Sequence, residues 1–218
     1  MAKKTLFFSN IIGNVMEDDK EVRFNDFMSE YLIKNIDSTY SLVFIEAPGL
    51  GGEENYLPNI LRCFNKIGIR FNSVIHVDEE TLKSDLDSFY TDNNKIVYFL
   101  MGGNPYSQLE IIDGLNMREN IKNHNDLVIG FCAGAINLSK YSIITSDDDF
   151  DKPDSYIGIG REDICIEPHY NDINNIRNNE LKEFAKKYNT KIYCIPDESI
   201  IYFEDGIQNE KGNIYTII

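Results

Sequence analysis

The strongest constraint on the fold is a series of short, nearly all-apolar segments, each followed by a stretch with helical spacing. "TLFFS" (5–9), "SLVFIEA" (41–47), "FNSVIHV" (71–77), "KIVYFLM" (95–101) and "DLVIGF" (126–131) have strand length and few polar residues. A strand wetted on one side alternates apolar with polar residues, whereas one covered on both faces does not. Between the first two, "RFNDFMSEYLIKNI" (23–36) sets Phe24, Phe27, Met28, Tyr31 and Leu32 at i, i+3, i+4, i+7 and i+8, which is one buried helical face. Segments 55–68, 79–90 and 106–121 also read as helices, the last despite Gly114, and 133–140 begins another. Alternation of this kind predicts an α/β three-layer sandwich, with a mostly parallel central sheet flanked by helices.

The pattern changes after Lys140. "YSIIT", "DICIE", "KIYCI", "SIIYF" and "NIYTII" are strand-like, with one helix near 174–188 among them, so some antiparallel strands are expected in the C-terminal third. The chain has 218 residues, no internal repeat and no proline-rich linker, and a single domain over 1–218 is expected. The segment 146–163 is long and acidic, and its place between two candidate catalytic residues predicts a lid.

Composition removes several classes of function. Lys and Arg number 21 against 36 Asp and Glu, a formal charge of −15, which repels phosphate backbones and argues against nucleic acid as a partner. No apolar stretch approaches membrane-spanning length, so no membrane partner is expected, and the start "MAKKTLFFSN" reads as a first strand rather than a signal peptide. The four cysteines form no C-x-x-C pair. Cys165 and Cys194 sit among apolar neighbours and read as buried thiols, which places the chain in the reducing cytoplasm. No metal and no organic cofactor are implied.

Chemistry concentrates in "VIGFCAGAINLSK" (128–140). Cys132 follows an apolar strand and precedes a helix, so it stands at the carboxyl edge of the sheet, where ligand crevices of open α/β sheets lie. Gly130 and Gly134 flank it as G-x-C-x-G, the spacing of a strained nucleophile turn in which backbones pass closely. The opposing reading is a buried thiol at a tight strand–helix crossing. "FLMGGNPYSQLE" puts Gly102, Gly103 and Asn104 at the end of the preceding strand, where a backbone N–H of either glycine, with that of Ala133, could form an oxyanion hole. A cysteine nucleophile needs a base. His76 lies inside a strand pattern and reads as structural, and His124 sits in a polar turn and reads as solvated. His169, just beyond a strand end in "EPHYND", is the candidate base.

The order Gly-Gly-Asn, then G-x-C-A-G-A, then P-H-aromatic resembles the peptidase E family of aspartyl dipeptidases and cyanophycinases, which have a class I glutamine-amidotransferase-like fold. The likeness spans most of the chain, from "LFFSN" to the last strands. It implies a hydrolase of small peptides or amides, with Cys132 as nucleophile in place of the usual Ser, His169 as base, and Gly102 or Gly103 with Ala133 as oxyanion donors. The resemblance leaves two choices for the acid behind His169: Asp147 in "ITSDD" or Glu198 in "IPDES". It gives Asn104 and Arg177 as substrate-binding candidates. Arg177 is the lone arginine after the histidine, where aspartyl members have several. The expected partners are a small peptide or amide and, in an assembly the sequence leaves open, a second copy in a homodimer. The Ser-to-Cys change also fits a non-catalytic or redox-sensing protein on the same fold.

Overall fold

The structure, a computed structural model, describes residues 3–13, 21–48, 56–93, 95–146 and 150–218. The five apolar segments are the strands β1 (Lys4–Phe8), β2 (Ser41–Ile45), β3 (Val74–Val77), β4 (Ile96–Leu100) and β5 (Leu127–Phe131). They run parallel in the order β1-β5-β4-β2-β3. The C-terminal third supplies β6 (Tyr141–Ile144), β7 (Asp154–Ile157), β8 (Cys165–Glu167), β9 (Ile192–Cys194), β10 (Ile200–Glu204), β11 (Ile207–Lys211) and β12 (Tyr215–Ile217). Antiparallel β10 and β11 extend the large sheet beyond β1 to seven strands. Two small sheets, β12-β9-β8 and β6-β7, stand apart from it.

Pleating explains why the strands read as apolar throughout. Leu42 and Phe44 of β2 enter one core, Val43 and Ile45 the other, and Val97 and Phe99 of β4 alternate with Tyr98 and Leu100 in the same way. The first core is closed by α1 (Asp26–Asn35) and α2 (Leu57–Lys66) through Met28, Leu32, Ile60 and Phe64. The second is closed by α3 (Lys83–Asp92), α4 (Pro105–Gly114), α5 (Arg118–Asn123) and α6 (Ala133–Leu138) through Leu86, Ile112, Ile121 and Leu138. The result is the expected three-layer α/β sandwich. A third, smaller cluster joins β8 and β9 to α7 (Asn175–Tyr188) through Cys165, Leu181, Phe184 and Cys194. No helix is long and apolar enough to cross a membrane among the described residues.

Two expectations need correction. The helix over 106–121 is two helices, because the chain turns after Gly114 with Asn116 at a φ of 56°. The segment 146–163 is not an irregular lid where it is described. Residues 154–157 are β7, paired antiparallel with β6, and Arg161 is buried, with its guanidinium donating to the carbonyls of Lys4, Ile121, Lys122, His124 and Asp126 and to the Thr5 hydroxyl. Those bonds fasten the end of the segment to the body of the sheet. Asp147, Asp148 and Asp149 lie outside the described residues.

The turn from β5 into α6 depends on glycine. A Cβ on Gly134 would stand 2.2 Å from the Leu100 carbonyl oxygen, and one on Gly130 would stand 2.8 Å from the Ala135 backbone. Gly114, by contrast, has nothing within 4 Å. Gly134→Ala is therefore expected to cost about 3 kcal/mol by overpacking, while Gly114→Ala gains about 0.5 kcal/mol by restricting the unfolded chain. Urea titrations of the two variants check the pair. Equal stability of Gly134→Ala and the parent would contradict the close crossing.

Candidate active site

The crossing fixes the conformation of Cys132. The residue has φ 48° and ψ −108°, a region that a side chain other than glycine enters only under constraint. Its N–H donates to the Phe8 carbonyl at 3.0 Å, and its own carbonyl accepts the N–H groups of Ala135 and Ile136 that start α6. Gly134 N–H donates to the Met101 carbonyl at 3.1 Å and ties the turn to the end of β4. Cys132 is half-buried, whereas Cys63, Cys165 and Cys194 are buried and free. Burial pushes the Cys165 thiol up, and the Cys63 thiol up to about 12.

The glycines after β4 lie against this turn, as the sequence predicts. A Cβ on Gly102 would fall 3.0 Å from the Cys132 Cβ, and Gly103, at φ 131°, has the Ala47 carbonyl in the place of a side chain. The backbone N–H groups of Gly102, Gly103 and Ala133 have no acceptor among the described residues. Asn104 has a different use from the expected one. Its side-chain oxygen accepts the N–H groups of Tyr106 and Ser107, so it caps α4.

His169 stands next to this turn. Like Cys132 it has a positive φ, 50°, and its side chain is 40 % exposed. Its Nδ1–H donates to Asp197 Oδ1 at 2.7 Å, and the Cys132 side chain interacts with the same ring. Burial disfavours the charged ring, but the hydrogen bonds and charges of Asp197 and Cys132 outweigh it and raise the His169 pKa to about 10. The hydrogen bond from His169 lowers the Asp197 pKa, against the opposing effect of burial. Asn10 Nδ2 donates to the other Asp197 oxygen at 3.3 Å.

The carboxylate at His169 is thus Asp197, and Glu198 is one residue off. Glu198 is exposed, and its backbone carbonyl accepts from Asn25 Nδ2. Asp147 falls outside the described residues. Asp197 is the first carboxylate after β9, beyond Ile195 and Pro196, so its place past a strand end was the signal available in the sequence. Asn10, at the matching end of β1, carried no such signal.

Arg177 is also placed differently from the expected substrate clamp. Its Nε hydrogen-bonds the buried Glu167, and its two terminal nitrogens donate to the carbonyls of His169 at 2.8 Å and Pro168 at 2.6 Å. Thr145 Oγ1 donates to the same Glu167 oxygen at 2.9 Å. The guanidinium therefore straps the left-handed turn that carries the imidazole. The other two histidines lie elsewhere. His76 lies on β3 beside Glu46, and His124 is not solvated, since its Nε2 meets the Ile96 carbonyl at 2.8 Å and burial lowers its pKa.

Against known proteins, no family model and no curated protein matches the chain. Solved structures do. A candidate peptidase E protein from Listeria monocytogenes EGD-e superposes with a TM-score of 0.64 at 18 % identity, over 97 % of this chain and 98 % of its own. A peptidase from an acI-B1 Actinobacterium gives 0.60 at 16 % identity, over 98 % and 88 %. The chain shares their fold along nearly its whole length.

Two tests follow from the site. Because folding raises the His169 pKa, the cationic ring contributes stability in full below its unfolded value near 6.5 and loses it as the pH rises toward about 10. An NMR titration of the ring should show that raised midpoint, and Asp197→Asn or Cys132→Ala should lower it. A midpoint near 6.5 in the parent would contradict the arrangement. Arg177→Ala leaves Glu167 buried without its cation, and a loss of roughly 3 kcal/mol is expected in urea unfolding. An unchanged midpoint would remove the strap from the account.

Proposed function

We propose that the chain is a hydrolase of small peptides or amides of the peptidase E type, working through a cysteine nucleophile. The observation that carries the reading is the line Cys132–His169–Asp197: a half-buried thiol in a constrained turn, an imidazole beside it, and a carboxylate on the far nitrogen of that ring. The fold shared with two solved peptidase structures supports it.

In this reading the Cys132 thiolate attacks the substrate carbonyl, and a carbon–sulfur bond forms. The N–H of Ala133, with that of Gly102 or Gly103, receives the developing oxyanion. The His169 imidazolium gives its proton to the leaving amine as the carbon–nitrogen bond breaks, which leaves a thioester. Water, deprotonated by His169, then attacks the thioester, and the acid departs with Cys132 restored. Asp197 fixes the ring through Nδ1 and stabilises the imidazolium in both halves. Arg177 has its donors committed to Glu167, Pro168 and His169, so a preference for an N-terminal Asp finds no free clamp there.

The test is a dipeptide and amide library with three proteins: the parent, Cys132→Ala and Cys132→Ser. Turnover by the parent that falls at least about 10³-fold in Cys132→Ala is expected. Iodoacetamide labelling read by peptide mapping should mark Cys132 ahead of Cys63, Cys165 and Cys194. No turnover on any substrate, together with a persistent sulfenic acid on Cys132, would sink the hydrolase and favour the redox-sensing reading.

A further inference from the structure

At the carboxyl edge of the sheet, on strands that the hydrolytic site does not use, a second group of polar side chains converges. Glu46 follows β2, His76 lies in β3 and Asp78 follows β3. Glu46 Oε2 stands 3.2 Å from His76 Nε2, and Asp78 Oδ2 stands 3.9 Å from His76 Nδ1. One ligand atom from each of the three residues falls within 4.8 Å of the other two.

This is an unusual place for an acidic pair. Glu46 is only 9 % exposed at the end of an otherwise apolar strand. Its neighbours Asp78 and Glu79 add negative charge, and among the described residues His76 is the only ion-pairing partner of Glu46 and Asp78. His76 Nε2 is shut off from solvent and makes no hydrogen bond of proper geometry, although its ring is packed against Phe44 at 5.6 Å. The nitrogen thus faces the Glu46 carboxylate at ion-pair distance without an ideally directed hydrogen bond, and a cation between the two would meet both.

Asp78 is held in place for such a role. Its Oδ1 accepts the Glu80 N–H at 3.0 Å and the Thr81 hydroxyl at 2.9 Å, which turns Oδ2 toward His76. Outer hydrogen bonds of this kind orient the carboxylate ligands of metal centres. The His76 and Asp78 side chains keep 24 % and 34 % of their exposure, so the cluster borders solvent.

We propose that Glu46, His76 and Asp78 form a three-ligand site for a divalent cation of the zinc class. One imidazole nitrogen with two carboxylate oxygens suits a borderline cation, whereas magnesium and calcium prefer oxygen alone. Side-chain shifts of about 1 Å would bring the three ligand atoms to the 2.0–2.2 Å bonds that zinc makes. The remaining position takes water or a carboxylate oxygen. The site opens on the same sheet edge as Cys132, two to three strands farther along from β5, roughly 10–15 Å at ordinary strand spacing.

The test uses the full chain, with zinc added alone against a competing chromophoric chelator. Cys132→Ser serves as background throughout, since a thiol beside an imidazole also takes zinc. One equivalent bound with a micromolar or tighter Kd is expected, weakened at least about tenfold by His76→Gln and by Asp78→Asn. Asp78 is partly exposed, so its variant keeps the fold even if His76→Gln does not. Cobalt in the same background should give a d–d spectrum without a thiolate charge-transfer band. No binding in Cys132→Ser, or binding that Asp78→Asn leaves unchanged, overturns the proposal.

Discussion

The close crossing of the β5–α6 turn over the end of β4 is the contact on which the candidate site depends. Gly134 lies so near the Leu100 carbonyl that no side chain fits, and Gly130 meets the backbone of Ala135. With both approaches fixed, the one residue left to make the turn is Cys132, and it must take φ 48° to do so. The thiol is then presented at the sheet edge rather than folded into the core. The same crossing presses the Gly102 backbone against Cys132, and the N–H groups of Gly102, Gly103 and Ala133 have no acceptor among the described residues. One packing constraint thus sets the candidate nucleophile and the neighbouring glycine backbone together.

The second half of the site is built by polar contacts. β8 ends at Glu167, Pro168 continues the chain, and His169 turns it with φ 50°. Left alone, such a turn is costly for a non-glycine residue. Arg177, one turn into α7, answers it with donors to two carbonyls of the turn and to Glu167. Asp197 then meets the ring from the end of β9, and Asn10 meets Asp197 from the end of β1. Three strand ends and the start of α7 meet around His169, so most of this half comes from residues far apart in the sequence.

That contrast decides what was legible in the sequence. The parallel sheet was readable because Leu42 to Ile45 and Val97 to Leu100 are apolar on both faces, a pattern with one structural meaning. Cys132, Gly102 and His169 stood out as candidates because each lies within two residues of a strand end. Of the two acids expected, Asp147 lies outside the described residues, and Glu198 is the neighbour of Asp197, which meets His169; carboxylates are common in this chain, and only the direction of a side chain separates neighbours. Asn104 and Arg177 were expected to bind substrate, but cap a helix and strap a turn. A polar residue near a site has the same letter whether it faces the ligand or the backbone. The strand β7 was missed because "DSYI" lies half-exposed in an acidic stretch and pairs only with β6.

The central claim is that Cys132 carries the acyl group. Intact-mass spectrometry of the protein quenched during turnover of p-nitrophenyl acetate, followed by peptide mapping, reads it directly. The account predicts one acetyl group, on Cys132, that disappears as the ester is exhausted. Ester hydrolysis with no adduct on Cys132, or with the adduct on another residue, would contradict it.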